Sequence, residues 1–392
     1  MPIAFHWFLP TNGDGRRLVE PEHPHPGRAG GQRPATFNYL TQISLAAEAF
    51  GFEAALTPAG PWCDDAWVTT SALAQRTERL KFLVAFRPGV TSPTLAAQMA
   101  ASYQFHTGGR LLLNVVTGGD SSEQHAYGDW LDKDGRYVRC GEFLDVVRGL
   151  WAGEVVDYEG THIHVEGGAL GRQPDPVPDV YFAGSSPAAL EVAARHADVY
   201  LTWGEPPAQV GEKLDRVRQL AAAQGRTPRF GIRLHVVSRD TSEEAWKEAN
   251  ALLDGISEDE IAKVHARMQT TESEGQKRML ELHGGSRDNL EVSPNLWAGV
   301  GLARGGAGTA LVGSHAEVAD RIEEYAALGI DEFILSGYPH LEELYWFGEG
   351  VLPVLEQRGS WVRPVGSAEG MRTGSIASGG VSFGVVPERP RP

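Results

Sequence analysis

Phe230-Gly-Ile-Arg-Leu-His-Val-Val-Ser238 is an apolar run with two ionisable side chains in its middle. Successive residues of a strand point to opposite faces, so Arg233 and His235 share one face. A guanidinium buried in a strand costs several kcal/mol, roughly, unless an anion or hydrogen-bond partner meets it. A second run, Phe333-Ile-Leu-Ser-Gly-Tyr-Pro-His340, leads from a strand straight into Tyr338 and His340. Arg304 stands between the two, on the glycine-rich backbone of Arg304-Gly-Gly-Ala-Gly308. Two arginines, two histidines and a tyrosine form a set suited to gripping and processing an oxyanion. The competing reading is a pair of internal salt bridges. Neither run contains a carboxylate, which favours the anion site.

Other candidates stand where strands give way to loops. Gly184-Ser-Ser-Pro187 is a small-residue turn with proline at the first turn of a helix, and its N–H groups and hydroxyls suit a phosphate. Read alone, it is also an ordinary helix start. Thr57 ends a strand, and Asn114 offers an amide from an otherwise apolar one, either to a polar heterocycle or to the core. Cys63 precedes a helix, where the dipole lowers a thiol pKa; the plain reading is a small buried hydrophobe. His162 and His164 share a strand face, but no third ligand has metal-like spacing, so no metal is expected. The motifs HExxH, CxxC, GxSxG and the P-loop do not occur, which counts against metallohydrolase, disulfide-redox, serine-hydrolase and NTPase chemistry.

The elements that must position these residues alternate along the chain. Strands are expected at 3–8, 53–58, 80–87, 110–116, 179–184, 198–203, 229–238 and 331–337. Amphipathic helices are expected at 36–50, 64–76, 93–106, 141–151, 187–196, 207–224, 241–254, 314–328 and 341–356. Eight strand–helix repeats with nearly continuous apolar strands predict a closed (β/α)8 TIM barrel with insertions at its C-terminal rim. The alternative, an open doubly wound sheet, lacks a GxGxxG after its first strand. Segments 12–35, 118–140 and 255–300 follow strands and so gather at that rim. Residues 155–165 read as a hairpin turning at Glu159-Gly160. One barrel domain is expected over 1–358, with a lid insertion at about 255–305. The Gly/Ser/Pro-rich residues 359–392 form a tail.

A net charge of -16 argues against nucleic acid as a partner. With only two cysteines, Cys63 and Cys140, no disulfide framework is expected and the cytoplasm is the expected location. Met1 to Leu9 reads as a first strand, not a signal peptide. No apolar stretch is long enough to span a membrane.

The chain resembles the flavin-dependent alkanesulfonate monooxygenases, a branch of the bacterial-luciferase-like superfamily. The matching strings include Phe8-Leu-Pro-Thr11, Cys63-Asp-Asp-Ala-Trp67, Leu83-Val-Ala-Phe-Arg-Pro88 and Asn114-Val-Val-Thr-Gly-Gly-Asp120. Further matches are Tyr200-Leu-Thr-Trp-Gly-Glu-Pro-Pro207, Phe230 to Val236, Ser293 to Gly301, Arg304 to Gly313 and Leu335 to Glu343. The likeness spans residues 3 to about 356. It implies a two-component oxygenase that takes FMNH2 from a separate NAD(P)H-dependent flavin reductase. With O2 such an enzyme cleaves the C–S bond of an organosulfonate to sulfite and an aldehyde.

Position by position, the resemblance implies that Arg233, His235, Tyr338 and His340 line the sulfonate pocket with Trp203 as its wall. It puts Arg304 on a lid over the flavin, Cys63 near the flavin, and Ser185, Ser186 and Tyr137 at its phosphate. With Thr57, Asn114 and Gly184 these make the expected cofactor site, and a homodimer or homotetramer is the expected assembly. The chain departs from the family at Asn12, where a histidine is usual. It departs again in the loop bearing Arg16, Arg17, His23, His25, Arg28 and Arg33, and in the loop bearing Trp130 and Lys133. These rim loops leave the organic part of the substrate open between a simple alkanesulfonate and a specialised sulfonate such as sulfoquinovose. From other classes, a non-catalytic flavin-binding barrel and a barrel hydrolase using Asp64, Asp65 and His235 remain; neither accounts for Arg304.

Overall fold

The computed structural model describes residues 3–18 and 33–365. Eight parallel strands close a barrel: β1 Ala4–Phe8, β2 Ala54–Thr57, β3 Lys81–Phe86, β4 Leu111–Val115, β5 Val180–Ala183, β6 Val199–Trp203, β7 Arg229–Arg239 and β8 Glu332–Ser336. Neighbours in sequence pair from β1 to β7, β7 also pairs with β8, and β8 returns to β1. The expected TIM barrel is therefore the fold.

The period-two alternation of the strands sorts their side chains. On β1, Phe5 and Trp7 face outward and pack with the main core, Phe5 meeting Phe52, Phe333, Phe347 and Trp361. Removing such a ring would cost about 3–5 kcal/mol. Leu56, Leu83, Leu112, Tyr181, Leu201 and Ile334 fill the barrel interior, with Phe8 packed against them. Buried Glu332 accepts hydrogen bonds from Tyr181 and Arg229 and pairs with His6. Burial would raise its pKa, but His6 and Arg229 outweigh burial and hold it low.

The helices start on side-chain caps: Thr36, Asp65, Ser92, Asp132, Ser186 and Ser314 each accept from the first turn. The helix expected at 141 starts eight residues earlier at Lys133, behind the Asp132 cap. The polar segment 121–140 is therefore mostly helical, with a further short helix at Ser121–Ala126. The expected helix at 341–356 is real but passes through a π turn at Phe347–Val351, just before Pro353, which has no N–H to donate. The expected hairpin forms from Val156–Glu159 and His164–Gly168.

One parallel strand was not expected: Ala310–Ser314, paired with His235 to Arg239. Arg233 O accepts from Gly204, past the end of β6, and His235 N donates to Thr309. Alternate residues bond to the same side, so this strand continues along the edge of β7 that β6 leaves. The insertion before it holds helices Glu258–Gln269 and Glu274–His283 and a small antiparallel pairing of Glu291–Ser293 with Leu296–Trp297. No helix among the described residues is long and apolar enough to cross a membrane. Trp361 is buried against the core, while most of the expected tail, along with His23, His25 and Arg28, lies outside the described residues.

Candidate active site

Strands β7 and β8 bring Arg233, His235 and Ser336 together at the C-terminal end of the barrel, with Ser336 level with His235 in the pairing. Arg233 is 7% exposed. It donates to Ser336 Oγ at 2.8 Å and to the carbonyls of Leu234 and Ile334, and it lies 4.9 Å from the ring centre of Phe8. The charge that bears most on it is that of another cation, Arg304. Burial, with Arg304 adding to it, pulls the guanidinium down to about 9.

The proton positions on His235 follow from its partners. Nε2 lies 3.1 Å from the Ala307 carbonyl, which can only accept, so Nε2 carries the hydrogen. Nδ1 then accepts from Ser336 Oγ at 2.7 Å, while Ser336 accepts from Arg233. Burial and the cationic neighbours Arg233 and Arg304 hold His235 well below its ordinary value, so it is neutral. Both of its nitrogens are in use.

Tyr338 stacks on His235 with ring centres 5.5 Å apart, and its hydroxyl accepts from Arg304 Nη1 at 2.6 Å. The His340 ring is 5.2 Å from that of Tyr338 and 5.8 Å from that of Phe8. The five residues expected to meet an oxyanion thus form one contiguous cluster. Behind it, Asp14 accepts from the backbone N–H and Nδ1 of His340 at 2.8 and 2.9 Å, from Gly15 N at 2.8 Å, and from the Tyr39 hydroxyl. Burial would raise the Asp14 carboxyl, but charge and hydrogen bonds from His340 outweigh it and hold it below the usual range. Arg33, next in line, bonds Tyr39 and forks onto Glu342.

A second constellation lies at the end of β5. Pro187–His196 is a helix whose N-cap, Ser186, accepts from Ala189 N at 3.3 Å. The hydroxyls of Tyr137, Thr117 and Ser186 interact, and those of Ser185 and Tyr200 do likewise. Burial raises Tyr137, keeping it a neutral donor. Tyr200 OH donates to Gly184 O at 2.7 Å. Gly184 has φ 154°, and a Cβ there would sit 2.5 Å from that of Ala189, so only glycine lets the turn approach the helix. Converging hydroxyls at a helix N-terminus fit a phosphate dianion such as that of FMN. Elsewhere on the rim, Thr57 Oγ1 and Arg87 Nε and Nη1 are buried without hydrogen-bond partners among the described residues, donors free for a polar ligand. Asn114 is half-buried at the end of β4.

Cys63 departs from expectation. Burial, reinforced by Asp64 and Glu123, pushes its thiol up to about 11, where a helix dipole was expected to lower it. The helix begins three residues later behind the Asp65 cap, and the sulfur faces the carbonyls of Pro58 and Gly60. Cys63 is a thiol, not a thiolate.

The insertion crosses the barrel mouth. A Cβ at Gly275 would lie 3.3 Å from the Trp203 ring, so the helix Glu274–His283 rests on the expected pocket wall. Glu272 accepts from Arg136 and Ser121, each at 2.8 Å, and its carbonyl accepts from Lys133 at 2.7 Å. Gln276 accepts from Gly306 N at 2.7 Å, tying the helix to the loop that bears Arg304. Ser336, Tyr200, Asp14, Thr117 and Arg87 were absent from the expected site. Pairing register, which local sequence does not carry, is the signal that would have found Ser336.

Comparison with solved structures returns the same fold at low identity. A riboflavin lyase with modified FMN and riboflavin superposes with a TM-score of 0.77 at 22% identity, covering 93% of both chains. A long-chain alkane monooxygenase gives 0.73 at 23% identity, also covering 93% of both chains. An EDTA monooxygenase from Chelativorans sp. BNC1 gives 0.71 at 19%, covering 93% of this chain and 96% of the other. The family model of luciferase-like monooxygenases matches residues 3–332, the greater part of the barrel. This chain belongs to the luciferase-like monooxygenase family.

Proposed function

We propose that the chain is the oxygenase of a two-component system, using FMNH2 and O2 to cleave the C–S bond of an organosulfonate and release sulfite and a carbonyl product. The observation that carries the reading is Arg233, a buried guanidinium beside a second arginine and without a carboxylate partner among the described residues. A sulfonate is a tetrahedral anion with three acceptor oxygens, suited to charge-assisted bonds from Arg233 and Arg304. Ser185, Ser186, Tyr137 and Thr117 would hold the FMN phosphate, and Thr57, Asn114 and Arg87 would meet the polar parts of the cofactor. Bound reduced FMN supplies the two electrons that activate O2. The protein's part is to hold the anion, to exclude water by means of the strapped insertion, and to place proton acceptors beside the reacting carbon.

An alkyl or other weakly polar organic group suits this rim better than a sugar. Arg33 and Lys133, two basic residues of the rim loops that could have met sugar hydroxyls, are committed to Glu342 and to the backbone of Glu272. The reductase, and the dimer or tetramer typical of such oxygenases, belong to the same proposal. The test is sulfite release with an NAD(P)H:FMN reductase present, across alkyl, aryl and sugar sulfonates. The proposal expects release in proportion to NAD(P)H consumed, strongest with alkylsulfonates. FMN binding without sulfite from any substrate would leave a non-catalytic flavin-binding barrel or a different oxygenase.

A further inference from the structure

Loss of sulfite from an oxidised carbon requires a proton acceptor, and the cluster narrows the choice. His235 has its lone pair engaged by Ser336 and its N–H by Ala307. Arg233, even drawn down to about 9, stays a cation at neutral pH. The Tyr338 oxygen receives the Arg304 guanidinium. His340 differs. Its Nδ1 lies 2.9 Å from Asp14 Oδ1, a carboxylate that can only accept, so Nδ1 carries a hydrogen, and in the neutral ring Nε2 holds the lone pair. No hydrogen-bond partner for Nε2 occurs among the described residues, and the ring lies against Tyr338 and Phe8, inside the cluster that surrounds Arg233.

We propose that Asp14 is a positioning residue that fixes the tautomer and orientation of His340, and that His340 Nε2 is the proton acceptor of the C–S cleavage. The inference rests on the sulfonate-monooxygenase reading above. Oxygenation would convert a C–H bond on the carbon bearing the sulfonate to C–OH with one atom of O2, while the other atom leaves as water on taking two electrons and two protons from the reduced flavin. The hydroxyl proton then passes to His340 Nε2. The O–H electron pair becomes the second C–O bond, and the C–S pair departs with sulfite.

Asp14 is built for this task more thoroughly than a structural ion pair requires. It is 2% exposed, and it holds both the backbone N–H and the ring of His340, so that ring and main chain are fixed by one carboxylate. Tyr39 and Gly15 N–H saturate its remaining lone pairs, which leaves the carboxylate no other orientation. An amide in its place presents an N–H to Nδ1 and so moves the ring proton to Nε2, removing the acceptor while preserving shape.

The test is Asp14→Asn. With saturating FMNH2, kcat should fall at least 100-fold while sulfonate KM and FMN affinity change less than threefold. The ¹⁵N spectrum of His340, assigned by difference from His340→Gln, should show the hydrogen moving from Nδ1 to Nε2. His340→Gln keeps an amide donor for Asp14 and should lose kcat to a similar extent; it decides the matter if Asp14→Asn does not fold. Retention of more than a third of wild-type kcat by either folded variant would overturn the proposal. So would an unchanged tautomer in Asp14→Asn. Wild-type enzyme that releases no sulfite from any sulfonate refutes the functional reading and this assignment together; wild-type release with active variants refutes this assignment alone.

Discussion

Replacing Arg233 with methionine should make the protein more stable and leave it unable to use a sulfonate. The guanidinium drops from its ordinary value to about 9 on burial, a free-energy difference of roughly 5 kcal/mol. Because the folded value is depressed, the unfolded chain holds the extra proton from about pH 9 up to the ordinary arginine value. The penalty is therefore fully present below pH 9, where both states are charged, and is relieved as pH rises through that window. Methionine removes the charge and fills similar space. It gives up bonds to Ser336 and to two carbonyls, each worth about 1 kcal/mol net. The balance is a gain of about 1–3 kcal/mol, seen in calorimetry as a rise in Tm of a few degrees. The same substitution removes charge-assisted bonds of about 1.5–3 kcal/mol each, so kcat/KM for sulfonate should fall by about 100-fold or more. In the wild type, kcat/KM should also decline above pH 9 as Arg233 loses its proton. A variant whose Tm falls would show that Arg233 is a structural anchor, and the argument for an anion site would fail with it.

Gly184→Ala should weaken FMN binding by about tenfold or more, measured by quenching of flavin fluorescence, because the new Cβ meets Ala189 at 2.5 Å and opens the phosphate turn; unchanged affinity would place the phosphate elsewhere. Cys63 should react with iodoacetamide at neutral pH about 100-fold more slowly than an ordinary thiol, since its value of about 11 lies two pH units above the usual 9; alkylation at the free-cysteine rate would contradict the burial argument. Acid should destabilise the insertion first. Burial, with His265 adding to it, holds His283 at about 4, so the unfolded chain takes up a proton between pH 6.5 and 4 and stability falls across that window by roughly 3 kcal/mol. Proteolysis of residues 255–305 should therefore rise below pH 6 in the wild type and respond less to pH in His283→Gln; equal acid profiles would refute it.

The barrel was legible because its strands are buried on both faces, and each wrote an apolar run bounded by turn residues. The segment Ala310–Ser314 escaped because five residues behind a glycine loop resemble a helix approach as much as a strand. The start of the helix at Lys133 was hidden by its polar first turns, although Asp132 marks it. At the site, the shared face of Arg233 and His235 followed from strand period alone. Their partners did not. Ser336 reaches them only because β8 lies beside β7 in a register set across about a hundred residues, and Asp14 meets His340 only because the last strand returns to the first. Of the two readings of Cys63, burial prevails over the helix dipole, and the carboxylates of Asp64 and Glu123 reinforce it. These cases share one cause. Local periodicity says which way a side chain points, but barrel closure decides what it points at. In this chain closure sets β7, β8 and β1 side by side, and the chemistry sits on those three neighbours. Arg233 stood out because its burial looked wrong in sequence, and Arg304 because it stood on a glycine-rich loop. The groups that tune them are ordinary residues, a serine and an aspartate, that become exceptional only once the ring is closed.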